Sequence, residues 1–349
     1  MASLTEEYLK TLSFSQEQGA TLRALGEHCG RQELYIKQSP ETLNRLQQIA
    51  IIESSESSNR LEGIIVPHDR IEALILKRTT PQDRSEQEVA GYRDALALIH
   101  ESHEYMNFSP NVVLQLHAML YRYLSNEGGR WKMTDNEIIE KYPDGTKRVR
   151  FRATPAVMTP FAMQELTDNY SKAIHNWRQE PLLIVPLAIL DFLCIHPFSD
   201  GNGRAARILT TLLLYHFDYQ VGRYISLERI FEESKESYYE TLEISSQGWH
   251  ENKHNVMPWV NYFWGTLIRA YKEFEERVGT IRSGRGSKTD QIKEAVLRKF
   301  KPFSISNIES DCPGISRDMV RVVLNKMRDE GLIILKGQGR AAKWLVKRK

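Results

Sequence analysis

The chain has 349 residues, 41% hydrophobic and 26% charged, a balance that fits a soluble globular protein with two or three cores rather than a membrane-embedded one. Its net charge of +2 is unevenly held: from Lys288 to Lys349 there are 15 Lys/Arg against 7 Asp/Glu, a surplus of eight, so the rest carries −6. That asymmetry points to a basic tail module whose partner differs from that of the main body.

Most of the chain reads as helix. Leu43, Leu46 and Ala50 recur at helical spacing beside Ile49 and Ile52, after Ser39-Pro40 as cap and first-turn proline. Further helices are expected near 68–78, 84–103, 110–124, 160–178, 182–195, 203–217, 234–246 and 257–277. Residues 136–142 and 146–152 flank Pro143-Asp144-Gly145 and predict a β-hairpin. Arg282 to Ser287 reads as a small, polar, flexible linker. Beyond it, 289–300, 304–310 and 316–330 read as helices, and 332–335 and 343–346 as strands around a tight basic turn. Three short helices and a β-wing look like a winged helix-turn-helix. The expected layout is 1–105, a helical region; 106–280, a core; 281–287, a linker; and 288–349, the winged module.

Cys29, Cys194 and Cys312 are odd in number and far apart, which argues against a disulfide framework and for a reducing compartment. The first residues, Met-Ala-Ser-Leu-Thr-Glu-Glu, lack the basic and apolar regions of a signal peptide. The longest apolar run, Pro181 to Ile195, is interrupted by Pro186 and Asp191 and is too short to span a bilayer. A cytoplasmic protein without membrane contact is expected.

The chemistry concentrates in His196-Pro-Phe-Ser-Asp-Gly-Asn-Gly-Arg-Ala-Ala-Arg207. Gly201, Asn202 and Gly203 let backbone N–H groups approach a phosphate at a helix start. Arg204 and Arg207 lie i,i+3 on that helix and can face the anion. Asp200 offers a hard oxygen to Mg²⁺, and His196 is placed as a base for a hydroxyl. A plain loop with a helix cap does not account for so many such residues in one window. Gly201-x-Gly203-x-x-Ala206 also fits the loose dinucleotide fingerprint, but the preceding segment reads as helix rather than strand. His250-Glu251-Asn-Lys-His254 matches a zinc-protease string; Pro258 and two asparagines argue for a solvated loop instead.

The string from His196 to Arg207 resembles the signature of the Fic family, His-x-Phe-x-Asp/Glu-Gly-Asn-Gly-Arg-x-x-Arg, at every fixed position. Ser58-Asn-Arg-Leu-Glu62-Gly63 resembles the family's inhibitory pattern and, lying before the core, implies a class II member. Here Ser58 and Glu62 share a helical face and Gly63 can end the helix in the left-handed conformation. The resemblance implies a mainly α protein, a Fic-type helical bundle with a small β-hairpin flap. The flap, at 134–152, would hold a target by strand addition. Leu116-His117 resembles a scaffold helix of that fold, with His117 a structural histidine.

It further implies transfer of AMP from ATP to a Ser, Thr or Tyr hydroxyl of a target protein, with His196 as base and Asp200 holding Mg²⁺. Backbone N–H groups of 201–203 and the Asn202 side chain would fix the α-phosphate. Arg204 and Arg207 would take the β- and γ-phosphates, with Ala205 and Ala206 inside the same nucleotide-binding stretch. Tyr238 and Tyr239 would line the base pocket, and Glu62 would pair with Arg207 where the γ-phosphate belongs. Three alternatives stay open: another nucleotide donor, removal of AMP from the target, and a DNA-binding regulator. The last would use Arg317, Arg321, Lys326, Arg328, Lys336, Arg340 and Lys343. A homodimer is also left open.

Overall fold

The computed structural model of the chain describes residues 3–36, 40–76, 79–125, 128–141, 145–282, 288–297, 299, 302–312, 315–337 and 343–347. Pro143, Asp144, Arg340 and the expected linker residues 283–287 lie outside them. The chain divides between Phe274 and Glu275 into two units.

In the first unit the elements are α1 (Glu6–Thr11), α2 (Gln16–Ile36), α3 (Pro40–Leu61), α4 (His68–Ile75), α5 (Arg84–Ser102), α6 (Pro110–Leu120), β1 (Glu137–Lys141), β2 (Lys147–Arg152), α7 (Thr159–His175), α8 (Pro181–Ile195), α9 (Asn202–Tyr215), α10 (Leu227–Glu233) and α11 (Lys235–Ser246), with α12 (Met257–Arg282) crossing the boundary. The helices and the hairpin follow the sequence pattern closely. Its periodicity had marked no bounds for α1, α2 or α10, and the expected 110–124 helix stops at Leu120.

α8 and α9 form the centre. Apart from Asp191, α8 is apolar on every side and buried almost throughout, as an interior helix must be. Pro186 lies inside it and has no N–H for the Leu182 carbonyl one turn back. The indole of Trp264 donates to that carbonyl at 2.8 Å, and the indole of Trp259 to the Pro186 carbonyl at 2.8 Å. Two tryptophans of α12 therefore satisfy buried carbonyls of α8 and join the helices. Asp191, also on α8, is fully buried and accepts from the Ser3 backbone, the Ser3 hydroxyl and the Trp249 indole. Among the described residues no helix is long and apolar enough to cross a membrane.

Burial pushes five imidazoles down, His100 to about 3, His117, His196 and His254 to about 4, and His216 below its ordinary value. Between the ordinary value of 6.5 and about 4, the unfolded chain binds protons there that the folded chain refuses, so stability falls as pH falls. Asp191, pushed up to about 6 by burial, works in the opposite direction but is a single group. The melting temperature is expected to drop steadily from pH 7 to pH 5 in a calorimetric series; a flat profile would contradict the burial of these rings.

The second unit holds α13 (Lys288–Leu297), α14 (Ile305–Asp311), α15 (Arg317–Asp329) and the antiparallel pair β3 (Ile333–Lys336) and β4 (Lys343–Val346). Ile292, Val296, Phe303, Val320, Leu324 and Trp344 belong to one core. Phe303 pairs with Trp344 through two backbone hydrogen bonds of 2.8 and 2.9 Å, an isolated antiparallel bridge beside the two-stranded sheet that the sequence pattern did not reveal. A reciprocal Ser304–Asn307 capping box starts α14.

Candidate active site

α8 ends on His196, whose backbone is left-handed (φ 50°, ψ 61°), a conformation uncommon for a residue with a side chain. Nδ1 lies 3.3 Å from the Leu193 carbonyl; donating to it keeps the proton on Nδ1 and leaves the lone pair on Nε2. With burial pushing the ring down to about 4, the imidazole is neutral near pH 7, the form a base requires.

The turn that follows is held from outside. Lys132 donates its backbone N–H to the Pro197 carbonyl and its ammonium to the Ile195 carbonyl, at 2.9 and 3.1 Å. Asn136 donates to the Phe198 carbonyl at 3.0 Å. His117 stacks on Phe198 with centroids 3.6 Å apart. It accepts from the Gly129 N–H at Nδ1, 2.9 Å, which leaves Nε2 to donate to the Asp200 carbonyl at 3.0 Å. Asn202 closes the turn, accepting from the Phe198 N–H at 2.9 Å and donating to its carbonyl at 2.8 Å. Truncating it leaves a buried N–H unpaired, so Asn202→Ala is expected to cost about 1–3 kcal/mol, read as a lower melting temperature. An unchanged melt would show that the clamp is dispensable.

Gly201, left-handed at φ 79°, precedes α9 as its cap. Above that helix start sits the carboxylate of Glu62. α3 ends in a paired 6→1 and 5→2 closure, Ile64 N–H to the Asn59 carbonyl at 3.0 Å and Gly63 N–H to the Arg60 carbonyl at 2.9 Å, with Gly63 at φ 81°. This places Glu62 Oε1 2.6 Å from Arg207 Nη2 and so near Gly203 that a methyl group there would collide with it. Arg207, buried, also donates Nε to the Ser58 hydroxyl at 2.8 Å and Nη2 to the Ser58 carbonyl at 2.9 Å. Burial opposes its charge, but the facing Glu62 together with Tyr238, Tyr92 and Tyr239 outweighs that and holds the guanidinium above its ordinary value. Glu62 thus fills, with its own negative charge, the place where a helix start and an arginine attract an anion.

The same space opens into a cavity of about 200 Å³ lined by Glu62, His196, Gly203, Arg207, Tyr238 and Tyr239. The hairpin contributes Ile138, Arg150 and Phe151. β2 is fastened to α11: Arg150 donates to the Tyr239 carbonyl and lies over its ring, and Arg148 and Arg150 pair with Glu243 at 2.7 and 3.3 Å.

Residues 107–214 match the model of the Fic/DOC family. That stretch is similar to a Fic/DOC domain. In fold, the chain is similar to a crystal structure of a Fic family protein from Desulfovibrio desulfuricans G20, with a TM-score of 0.63, 21% identity, and coverage of 97% of this chain and 98% of that one. A stretch of 66 residues is 32% identical to a Fido domain-containing protein of Dictyostelium discoideum, covering 18% of this chain and 46% of that protein. Another of 77 residues is 34% identical to a ribonucleoside-diphosphate reductase small chain of Ostreid herpesvirus 1, covering 20% of this chain and 13% of that protein. The chain therefore spans less than half the length of either curated relative. Fic-domain proteins are typically transferases that modify proteins.

Within residues 107–214 the structure brings His196, Gly203 and Arg207 to one cavity, but it turns two expected phosphate ligands elsewhere. Arg204 is buried against Glu88 at 2.5 Å and over the Tyr121 ring, because its position on α9 faces α5 and α6 rather than the cavity. The Asn202 amide is used up on Phe198, so it shapes the turn instead of offering its side chain to a phosphate. Ala205 and Ala206 are buried in the helix packing. Asp200 is exposed, accepting from the Tyr121 hydroxyl at 2.9 Å and the Gly201 N–H at 2.7 Å. Burial raises its carboxyl, yet the Tyr121 hydrogen bond and the Arg204 charge outweigh this and hold it below the ordinary range.

Lys132, Asn136, Tyr121, Glu88, Arg150 and Glu243 are site residues that the sequence did not single out. Each is an isolated polar residue, and no local spacing marks it. His250 and His254 part company: His250 faces the Arg152 carbonyl and His254 the Ser3 hydroxyl, both 2.8 Å away, and 249–251 is a single 3₁₀ turn. In the second unit Arg317, Arg321 and Arg328 pair with Glu309, Asp318 and Asp329 at 2.8, 3.4 and 2.9 Å. The basic face expected for DNA therefore carries carboxylates among its arginines.

Proposed function

We propose that this protein is an adenylyltransferase that moves AMP from ATP to a Ser, Thr or Tyr hydroxyl of a target protein and is held in check by Glu62. The observation that carries the reading is a neutral imidazole, a buried arginine and a helix start lining one cavity with two tyrosines. Nε2 of His196 would take the hydroxyl proton as that oxygen forms its bond to the α-phosphorus. The bond to the bridging oxygen breaks, and pyrophosphate leaves. The N–H groups of the first turn of α9, which helix geometry leaves without intrahelical partners, would receive the phosphate charge. Arg207 would orient the leaving pyrophosphate once Glu62 withdraws.

An exposed carboxylate held ionised fits Mg²⁺, which is usually bound by one or two carboxylates together with substrate phosphates. Asp200 would hold it, and the ion when bound would neutralise phosphate charge. Tyr239, buried Tyr238 and Leu242 would enclose the base, with the hairpin over it.

The experiment is to incubate the Glu62→Gly protein with Mg²⁺, lysate and each nucleoside triphosphate in turn, and to weigh the modified proteins. Addition of AMP from ATP supports the reading. Addition of UMP or phosphate alone moves the donor, and no addition from any donor sinks the transferase.

A further inference from the structure

At the far end of α9, roughly 20 Å along the helix from the active-site turn, a second cleft of about 600 Å³ opens, a volume within the range of small-molecule sites. Its floor includes Phe108 and Tyr170, packed edge to face with centroids 5.1 Å apart, and the buried His103. Its rim carries the carboxylates of Glu104 and Asp218, both exposed. Among the described residues, neither lysine nor arginine lines it. Burial holds the lining His216 below its ordinary value, so that ring adds no positive charge near pH 7. α5, α7 and α9 all end here, so three negative helix ends converge on the same space.

Two buried groups at this cleft lack a partner among the described residues. Tyr170, 7% exposed, has no hydrogen-bond partner for its hydroxyl, and His103, 9% exposed, has none for Nδ1. Buried polar atoms are seldom left so. A hydroxyl oxygen, an imidazole lone pair and two carboxylates are all able to accept, and an ammonium group offers donors only. Aromatic faces attract the same kind of ligand.

From this we infer that the cleft is a binding site for an organic ammonium ion of polyamine type, separate from the transferase site. The amine would set its charge between Glu104 and Asp218 and lay its carbon chain over Phe108 and Tyr170.

Titration calorimetry of the full chain with spermidine, at constant ionic strength set with NaCl, tests the site. Saturable binding is expected, weakened at least about tenfold in the Glu104→Gln/Asp218→Asn double variant, a difference of roughly 1.4 kcal/mol. Asparagine suits position 218, where φ is 63°. Tyr170→Phe removes an unpartnered hydroxyl, so it should weaken spermidine binding while leaving the melting temperature unchanged. Absence of saturable heat, equal affinity in wild type and both variants, or binding of Zn²⁺ without binding of spermidine would each overturn the assignment.

Discussion

Glu62→Gly should transfer AMP about 10 to 100 times faster than the wild type, the range set by removing one charged hydrogen-bonded competitor worth about 1.5–3 kcal/mol. The Glu62 carboxylate sits 2.6 Å from Arg207 Nη2 and against Gly203 at the first turn of α9. A triphosphate seated there in line for attack would have to displace it. Glycine removes the charge and the bulk while Gly63 still ends α3. Glu62→Gln keeps the bulk without the charge and should fall between the two. The check is initial rate at saturating ATP, because inhibition by misplacing the α-phosphate lowers the turnover rate even when ATP is bound. Equal rates for wild type and Glu62→Gly would show that the carboxylate does not restrain the enzyme.

His196→Ala, introduced into the Glu62→Gly background, should reduce transfer by a factor of about 10² to 10⁴, the usual contribution of a positioned general base. A loss confined to the rate, with ATP affinity and melting temperature close to those of Glu62→Gly, is the expected signature. In the proposed reaction the imidazole would touch the acceptor hydroxyl rather than the triphosphate. Alanine in a left-handed position carries some strain, so the melting temperature guards against a trivial loss of fold. Activity retained within a few fold would mean that another group removes the proton.

The helices and the hairpin were legible in the sequence wherever apolar spacing or turn residues recur within one segment. The helix near 182–195 could be read from its apolar run, and Gly63 could be read as the end of α3. The run from His196 to Arg207 could be read because its parts are adjacent. The orientation of those parts could not. Arg204 and Arg207 look equivalent on one helix, yet Glu88, 116 residues away in sequence, claims the first, while Ser58 and Glu62 on the α3 end face the second. Asn202 reads as a phosphate ligand until Phe198 is seen folded back onto it. Lys132 and Asn136 hold the turn after His196 from a stretch without periodicity. Such roles are decided by tertiary packing, which no window of a single chain records.

The most direct measurement is the mass of target proteins after incubation with ATP and Mg²⁺, comparing Glu62→Gly with Glu62→Gly/His196→Ala. The first should add one AMP to an acceptor hydroxyl and release pyrophosphate, and the second should add none. Equal labelling by both, or labelling by neither, would contradict a transferase in which His196 is the base.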